Sequence, residues 1–252
     1  MSPLRGRVAL VTGAGQRVGQ AIALALREAA GAGRKAAEGM RVAVHHHASA
    51  DGARRTAAAL RGLGVDTETF AGDLSDPAVP ERLIGDVAAH FGALDVLVNS
   101  AAVMRRLSLD AVTPAEWDET FAINTRAPFF LSLAAARAMG PQGGVIVNIA
   151  DHLAHESWPM LVPHAVSKGA LETLTRQLAV QLAPRVRVNA VAPGAVLPPG
   201  DWPAEARQRF EAGTPLRRLG TADDVAQAVV YLASAPYVTG HVLFVDGGRH
   251  LR

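Results

Sequence analysis

Seven short runs dense in Val, Ile and Leu punctuate the chain: Arg7 to Thr12, Arg41 to His46, Asp66 to Phe70, Leu94 to Asn99, Gly144 to Ala150, Val186 to Ala192 and His241 to Asp246. Most are continuously apolar, the pattern of strands buried on both faces. Between them lie six stretches with apolar residues at helical spacing: Val18 to Ala30, Ala53 to Leu63, Pro80 to Phe91, Pro114 to Met139, Val162 to Leu182 and Ala222 to Ser234. This alternation predicts an α/β fold, a doubly wound parallel sheet of seven strands with helices on both faces. No repeat or composition break divides residues 1–252, so one domain is expected. Val196 to Gly213 carries Pro198, Pro199, Gly200 and Pro203 and reads as a mobile substrate loop.

Composition narrows the chemistry. The absence of cysteine excludes disulfides, thiolate zinc sites and cysteine nucleophiles. The 25 cations nearly balance 23 anions and are not clustered, so no nucleic-acid footprint is expected. The longest uncharged run, Val225 to Val245, is interrupted by Gln227, Pro236, Gly240 and His241 and reads as helix, turn and strand, not as a membrane span. The apolar stretch from Val8 to Thr12 is too short for a secretory leader, so a cytoplasmic location is expected. Only two of the cations are lysines, Lys35 and Lys168; the rest are arginines.

Directly after the first strand stands Thr12-Gly13-Ala14-Gly15-Gln16-Arg17-Val18-Gly19, running into the first helix. Glycines there allow a tight turn and close approach to a pyrophosphate, whose charge is then met by free N–H groups at the helix start. The spacing T-G-x-x-x-R-x-G resembles that of the short-chain dehydrogenase/reductase family, with Arg17 where the family usually has its middle glycine. Further marks of that family follow in register: Gly72-Asp73-Leu74, Asn99-Ser100-Ala101-Ala102, Asn124, Ser167-Lys168, Ala192-Pro193-Gly194, and Thr239-Gly240 through Gly247-Gly248. The resemblance spans the whole chain and implies a Rossmann-like fold and a nicotinamide cofactor. It implies cofactor contacts at Gly13, Gln16, Arg17, Val18, Gly19, Asp73, Leu74, Asn99, Ser100, Ala101, Lys168, Pro193, Gly194 and Val196.

An acidic residue ending the second strand favours NAD, whereas donors there admit the 2′-phosphate of NADP. The second strand ends His45-His46-His47-Ala48-Ser49 without a carboxylate, and Glu38 precedes the strand, at the wrong end of the sheet. Arg17 with His45, His46, His47 and Ser49 therefore forms a candidate phosphate pocket, and NADP(H) is the expected cofactor. Three consecutive histidines on a strand cannot converge, so no metal site is expected. This combination resembles the pteridine-reductase branch of the family. The run from Gly19 to the second strand is long, and residues 30–38 read as an added surface bulge carrying Lys35 in solvent.

In the family a Tyr and a Lys four residues apart share a helix face. The Lys holds the cofactor ribose and lowers the phenol pKa, so that the Tyr passes a proton to the substrate. Lys168 fits the Lys position, but His164 stands where the Tyr would be, and the chain's tyrosines, Tyr231 and Tyr237, lie far downstream. The family's Ser after the fifth strand is replaced by Asp151, as in the pteridine-reductase branch. Imidazole offers an N–H donor and is expected to stay neutral near an ammonium. His164, alone or in relay with Asp151, is the expected proton donor, with a protonated Asp151 acting by itself as the alternative. Asn124 is expected to support a water or a backbone kink in the proton path. His152 and His155 read as polar loop residues.

The pocket walls are expected from residues 151–163, 103–107 and 196–213, with Trp158 and Trp202 in two of them. A flat substrate stacked on indole suits such walls, with each Trp serving only to anchor its loop as the alternative. The reading is an NADPH-dependent reductase of a small planar or carbonyl compound, such as a dihydropterin. A 3-oxoacyl or sugar-type carbonyl reductase, and a non-catalytic NADPH-binding protein, are the alternatives. The resemblance also implies association into a homo-tetramer, or a dimer, through the two long helices and the last strand.

Overall fold

The computed structural model describes residues 3–30, 39–196 and 202–252. The expectations placed on 31–38, including Lys35 and Glu38, and on 197–201 lie outside the described residues. Seven strands form one sheet: β1 Val8–Val11, β2 Arg41–His46, β3 Thr67–Ala71, β4 Val96–Asn99, β5 Gly144–Ile149, β6 Val186–Pro193 and β7 Val242–Val245. All pairs are parallel, in the order β3-β2-β1-β4-β5-β6-β7. The order reverses between β1 and β4, which opens a crevice at the carboxyl ends of those strands.

The helices are α1 Arg17–Ala30, α2 Ala50–Gly62, α3 Val79–Phe91, α4 Pro114–Phe121, α5 Ala127–Ala138, α6 Val162–Leu182, α7 Ala204–Gly213 and α8 Ala222–Ser234. Strand residues alternate between two cores, as the two-residue strand period requires. Ala9 and Val11 pack with α1, α2 and α8, while Val8 and Leu10 pack with α3, α5 and α6. Among the described residues no helix is long and apolar enough to cross a membrane. The uncharged run from Val225 resolves into most of α8, a turn and β7.

Two expectations need correction. The single helix expected over Pro114 to Met139 is broken by a π-helical turn at Ala122–Arg126, which separates α4 from α5. Asn124 lies in that turn, at the backbone kink, and its side chain holds the loop after β4. The substrate segment expected as a loop is helical over its second half. Pro203 precedes α7, whose buried Phe210 anchors the helix over the sheet's carboxyl edge.

Candidate active site

The turn after β1 is shaped by close backbone approaches. Gly13 has φ +65°, and a Cβ there would come within 2.9 Å of the Ala101 Cα. A Cβ on Gly19 would lie 2.4 Å from the Gly13 carbonyl oxygen. Arg17, at the start of α1, has φ +54°, the left-handed conformation that glycine adopts without cost. This explains the usual glycine at that position and leaves Arg17 under a strain of about 1 kcal/mol.

Thr12 and His45 wire this turn to the strands beside it. Thr12 Oγ1 accepts from the Ser100 and Ala101 amides at 2.9 and 3.0 Å and donates to the Val98 carbonyl at 3.3 Å. His45 Nδ1 accepts from the Gly13 amide at 3.3 Å, so Nε2 carries the hydrogen and donates to the Gly72 carbonyl at 3.1 Å. Burial lowers the His45 pKa to about 4, with the charges of His46 and His47 adding to the effect against the Gly72 hydrogen bond. His45 is therefore a neutral crosslink and not a phosphate-binding cation. His46 points away from the crevice, its Nδ1 near the His47 carbonyl, whereas His47 and Ser49 border the crevice beside Arg17.

A cavity of about 690 Å³ runs from this turn across the ends of β4, β5 and β6, within the size range of small-molecule sites. Of the residues expected to hold the cofactor, all but His46 and Asn99 line it. Asn99 is buried between strands, donating to Asn148 Oδ1 at 2.8 Å. Ser75 donates from its backbone to the Asp73 carboxylate at 2.9 Å, and hydrogen bonds from Ser75 hold that carboxyl below its ordinary range.

The far half of the cavity carries the titratable groups. Asp151 follows β5, and α6 presents His164 and Lys168 one turn apart, both at most 4% exposed. The Lys168 ammonium donates to the Ile149 carbonyl at 2.6 Å, its one hydrogen bond among the described residues. Burial lowers its pKa to about 8 against the opposing pull of Asp151. His164 Nδ1 lies 3.1 Å from the Val103 carbonyl, which can only accept, so Nδ1 carries a hydrogen. Its Nε2 lies 3.0 Å from Asp151 Oδ2, which fixes a second hydrogen between the two. The neutral His164 expected from the sequence would leave that contact without a proton unless Asp151 carried it. Burial pushes the Asp151 pKa up, but hydrogen bonds from His152, His164 and the Leu153 amide outweigh it and hold the carboxylate ionised.

Asn124 does not reach the cavity. It accepts from the Val103 amide at 2.9 Å and donates to the Val103 carbonyl at 2.9 Å and to Ser167 Oγ at 3.0 Å. The Val103 carbonyl thus receives both Asn124 and His164, so the Asn124 side chain touches the site through the Val103 backbone.

His152 departs from the expectation of a polar loop residue, whereas His155 meets it, lying exposed in a turn. His152 is 5% exposed and contacts Asp151. His155 pairs with the buried Glu172 at 2.8 Å. Trp158 and Trp202 line the cavity as expected and pack on Phe210, with ring centroids 5.9 and 5.5 Å away. The sequence reading missed Phe210 as a wall and Arg249 as its clamp. Arg249 lies 4.0 Å over the Phe210 ring and makes two hydrogen bonds, at 2.7 and 2.6 Å, to Glu156. Arg106 also borders the cavity, whereas its neighbour Arg105 is held outside by Glu116 and Glu119.

Comparison with known proteins identifies the family. A family model described as enoyl-(acyl carrier protein) reductase matches residues 18–250. A Streptomyces violaceoruber protein assigned as ketoacyl reductase 2 of the granaticin polyketide synthase is 39% identical, over 97% of this chain and 96% of its own. Versicolorin reductase 1 of Aspergillus parasiticus is 34% identical over 97% of both. The crystal structure of FolM alternative dihydrofolate reductase 1 from Brucella canis, complexed with NADP, superposes with a TM-score of 0.88 at 30% identity. It covers 99% of this chain and 96% of its own. The chain belongs to the short-chain dehydrogenase/reductase family of oxidoreductases.

Proposed function

We propose that this chain is an NADPH-dependent reductase of a flat, ring-bearing carbonyl or imine compound, with the His164–Asp151 pair supplying the proton. The single observation that carries this reading is the 3.0 Å contact between His164 Nε2 and Asp151 Oδ2 beside a buried ammonium. The residues present fit the cofactor. Gly13, Gly15 and Gly19 form the cradle, and a lysine ammonium with three donors and one described acceptor suits the two hydroxyls of a ribose. Arg17, His47 and Ser49 border the crevice at the end of β2, and residues 45–49 themselves carry no carboxylate. NADPH, when bound, supplies a hydride.

The protein's own part is to complete the proton count. His164 is held by Val103 at Nδ1 and by Asp151 at Nε2, and the Nε2 hydrogen is the one delivered to the substrate oxygen or nitrogen. Asp151 accepts from the same Nε2–H, so it steadies the imidazolium before transfer and gives up that hydrogen bond as the proton passes to the substrate. Lys168 contributes positive potential from a dry site, where it acts more strongly than in water. Trp158, Trp202 and Phe210 supply apolar faces for a flat ring. The names of two relatives, a ketoacyl reductase and a versicolorin reductase, support a carbonyl substrate, and that of the FolM neighbour supports a pterin.

Oxidation of NADPH, followed against dihydrobiopterin, a quinone, a polycyclic aromatic ketone and a simple β-keto ester, tests the reading. Turnover of at least one is expected, with His164→Phe slowing it by ~10²-fold or more. Unchanged turnover in His164→Phe would overturn the role of His164, and NADPH binding without turnover of any compound would favour a non-catalytic protein.

A further inference from the structure

Asp151 is shared by two imidazoles, and only one of them has a place in the reaction above. His152 is the next residue in the chain, in a short 3-10 turn (His152–Ala154) whose Leu153 amide is capped by Asp151 itself. Its Nδ1 lies 3.1 Å from Asp151 Oδ1 and 3.0 Å from the Pro193 carbonyl. Both are acceptors, so Nδ1 carries a hydrogen in every state of the ring. Its Nε2 is buried and has no hydrogen-bond partner. The carboxylate facing Nε2 is Glu156, 3.5 Å away, and both Glu156 oxygens are already taken by Arg249. A buried polar atom without a partner is costly enough to need a reason.

We propose that His152 is a positioning residue for the reductase reaction: as the second imidazole on Asp151, it governs how firmly the proton between His164 and Asp151 is held. The inference rests on the function proposed above only for its consequence, not for the coupling itself. With Nε2 bare, His152 is neutral and Asp151 places its full charge on His164. When Nε2 takes a proton, the new charge lies between Asp151 and Glu156, and the hold of Asp151 on the His164 proton weakens. Among the described residues the charged groups against this ring are Asp151 and Glu156 from its own loop; His164 and Lys168 of α6 line the same cavity, and Arg249 of the C-terminal turn binds Glu156. α7 contributes only the edge-on Phe210 ring, at 6.4 Å. Although burial lowers the His152 pKa, the bond and charge of Asp151, with help from Pro193 and Glu156, leave it raised overall. The ring is thus charged over more of the neutral range than an exposed histidine.

Imidazole ¹⁵N resonances of the full chain, titrated from about pH 5 to about pH 9, test this without a substrate. In the wild type the His164 signals should follow two coupled steps, one of them shared with His152. His152→Asn keeps a donor to Asp151 but cannot titrate. It should collapse the His164 curve to one step and move its midpoint upward by about one pH unit. Glu156→Gln retains an oxygen for Arg249 while removing the charge near Nε2; it should lower the His152 midpoint and move that of His164 upward by less. Thermal melting of both variants confirms that each is folded. With the most active compound of the panel above, His152→Asn should reduce kcat ~10-fold at unchanged KM and flatten the pH profile. A His164 midpoint identical in the wild type and both variants would overturn the proposal. Coupled titration without turnover of any panel compound would instead overturn the reductase reading and leave the coupling standing.

Discussion

The two ends of the cavity treat buried polar groups in opposite ways. At the β1 turn the two buried polar side chains that hold the strands together are fully matched: His45 uses both nitrogens on backbone, and Thr12 accepts two amides while donating to a carbonyl. These groups are neutral, and the result is a rigid frame. At the start of α6 the matching fails. Lys168 has one described acceptor for three hydrogens, Asp151 takes three donors, and His152 Nε2 has none. Saturation holds the first end still, and the shortage of partners at the second leaves donors for ligands and protons to transfer.

Lys168→Met is the sharpest way to separate the two. Activity should fall by about 10³-fold in kcat through loss of the buried cation. Stability should rise by about 1 kcal/mol or more, since a desolvated charge with a single hydrogen bond is replaced by an apolar chain. Steady-state kinetics and chemical denaturation on one preparation check both, and a loss of stability would break the contrast. The same lysine predicts a basic limb, with activity declining as pH rises through about 8 and the ammonium loses its proton.

Gly19→Ala probes the saturated end, where the added Cβ would meet the Gly13 carbonyl. A loss of about 3 kcal/mol is expected, together with a higher Kd for NADPH by calorimetry. His45 gives that end a pH signature. Its folded pKa of about 4 lies below the unfolded value of 6.5, so the unfolded chain takes up the proton first. Stability should be complete above about pH 6.5 and decline as pH falls toward about 4, by on the order of 3 kcal/mol. His45→Gln should show a shallower slope in denaturant melts across that window.

The smallest effect is expected at Arg17. Arg17→Gly should raise stability by about 1 kcal/mol by relieving the left-handed backbone. It should also weaken NADPH binding about tenfold while sparing NADH, a difference worth about 1.4 kcal/mol. Equal losses for both cofactors would remove Arg17 from the phosphate pocket.

Much of this was legible in the sequence, for local reasons. Strands buried on both faces write themselves as runs such as Val8–Val11 and Val96–Asn99, and the cofactor turn must use glycine where backbones nearly touch. Asp151, His164 and Lys168 could be placed because they sit at fixed offsets within one element or at a strand end. What escaped reading depends on distant partners. The π-helical turn at Asn124 exists because residue 103 offers it both an amide and a carbonyl. α7 was hidden by the prolines before it, although Ala204–Gly213 holds good helix formers. The Arg249 clamp joins residues 93 positions apart, and nothing local marks it. His152 looked like a loop residue until the bend capped by Asp151 turned its ring inward.

The placement of the indoles gives the molecule a built-in optical reporter. Trp158 and Trp202 both border the cavity against Phe210, while Trp117 stacks on Phe121 along α4 at 4.8 Å. Two of the three emitters therefore sense what occupies the cavity, and the third serves as an internal reference. Replacing Trp117 with Phe would leave tryptophan fluorescence that arises from the cavity alone, so ligand entry and the seating of α7 could be followed in real time without attaching a dye.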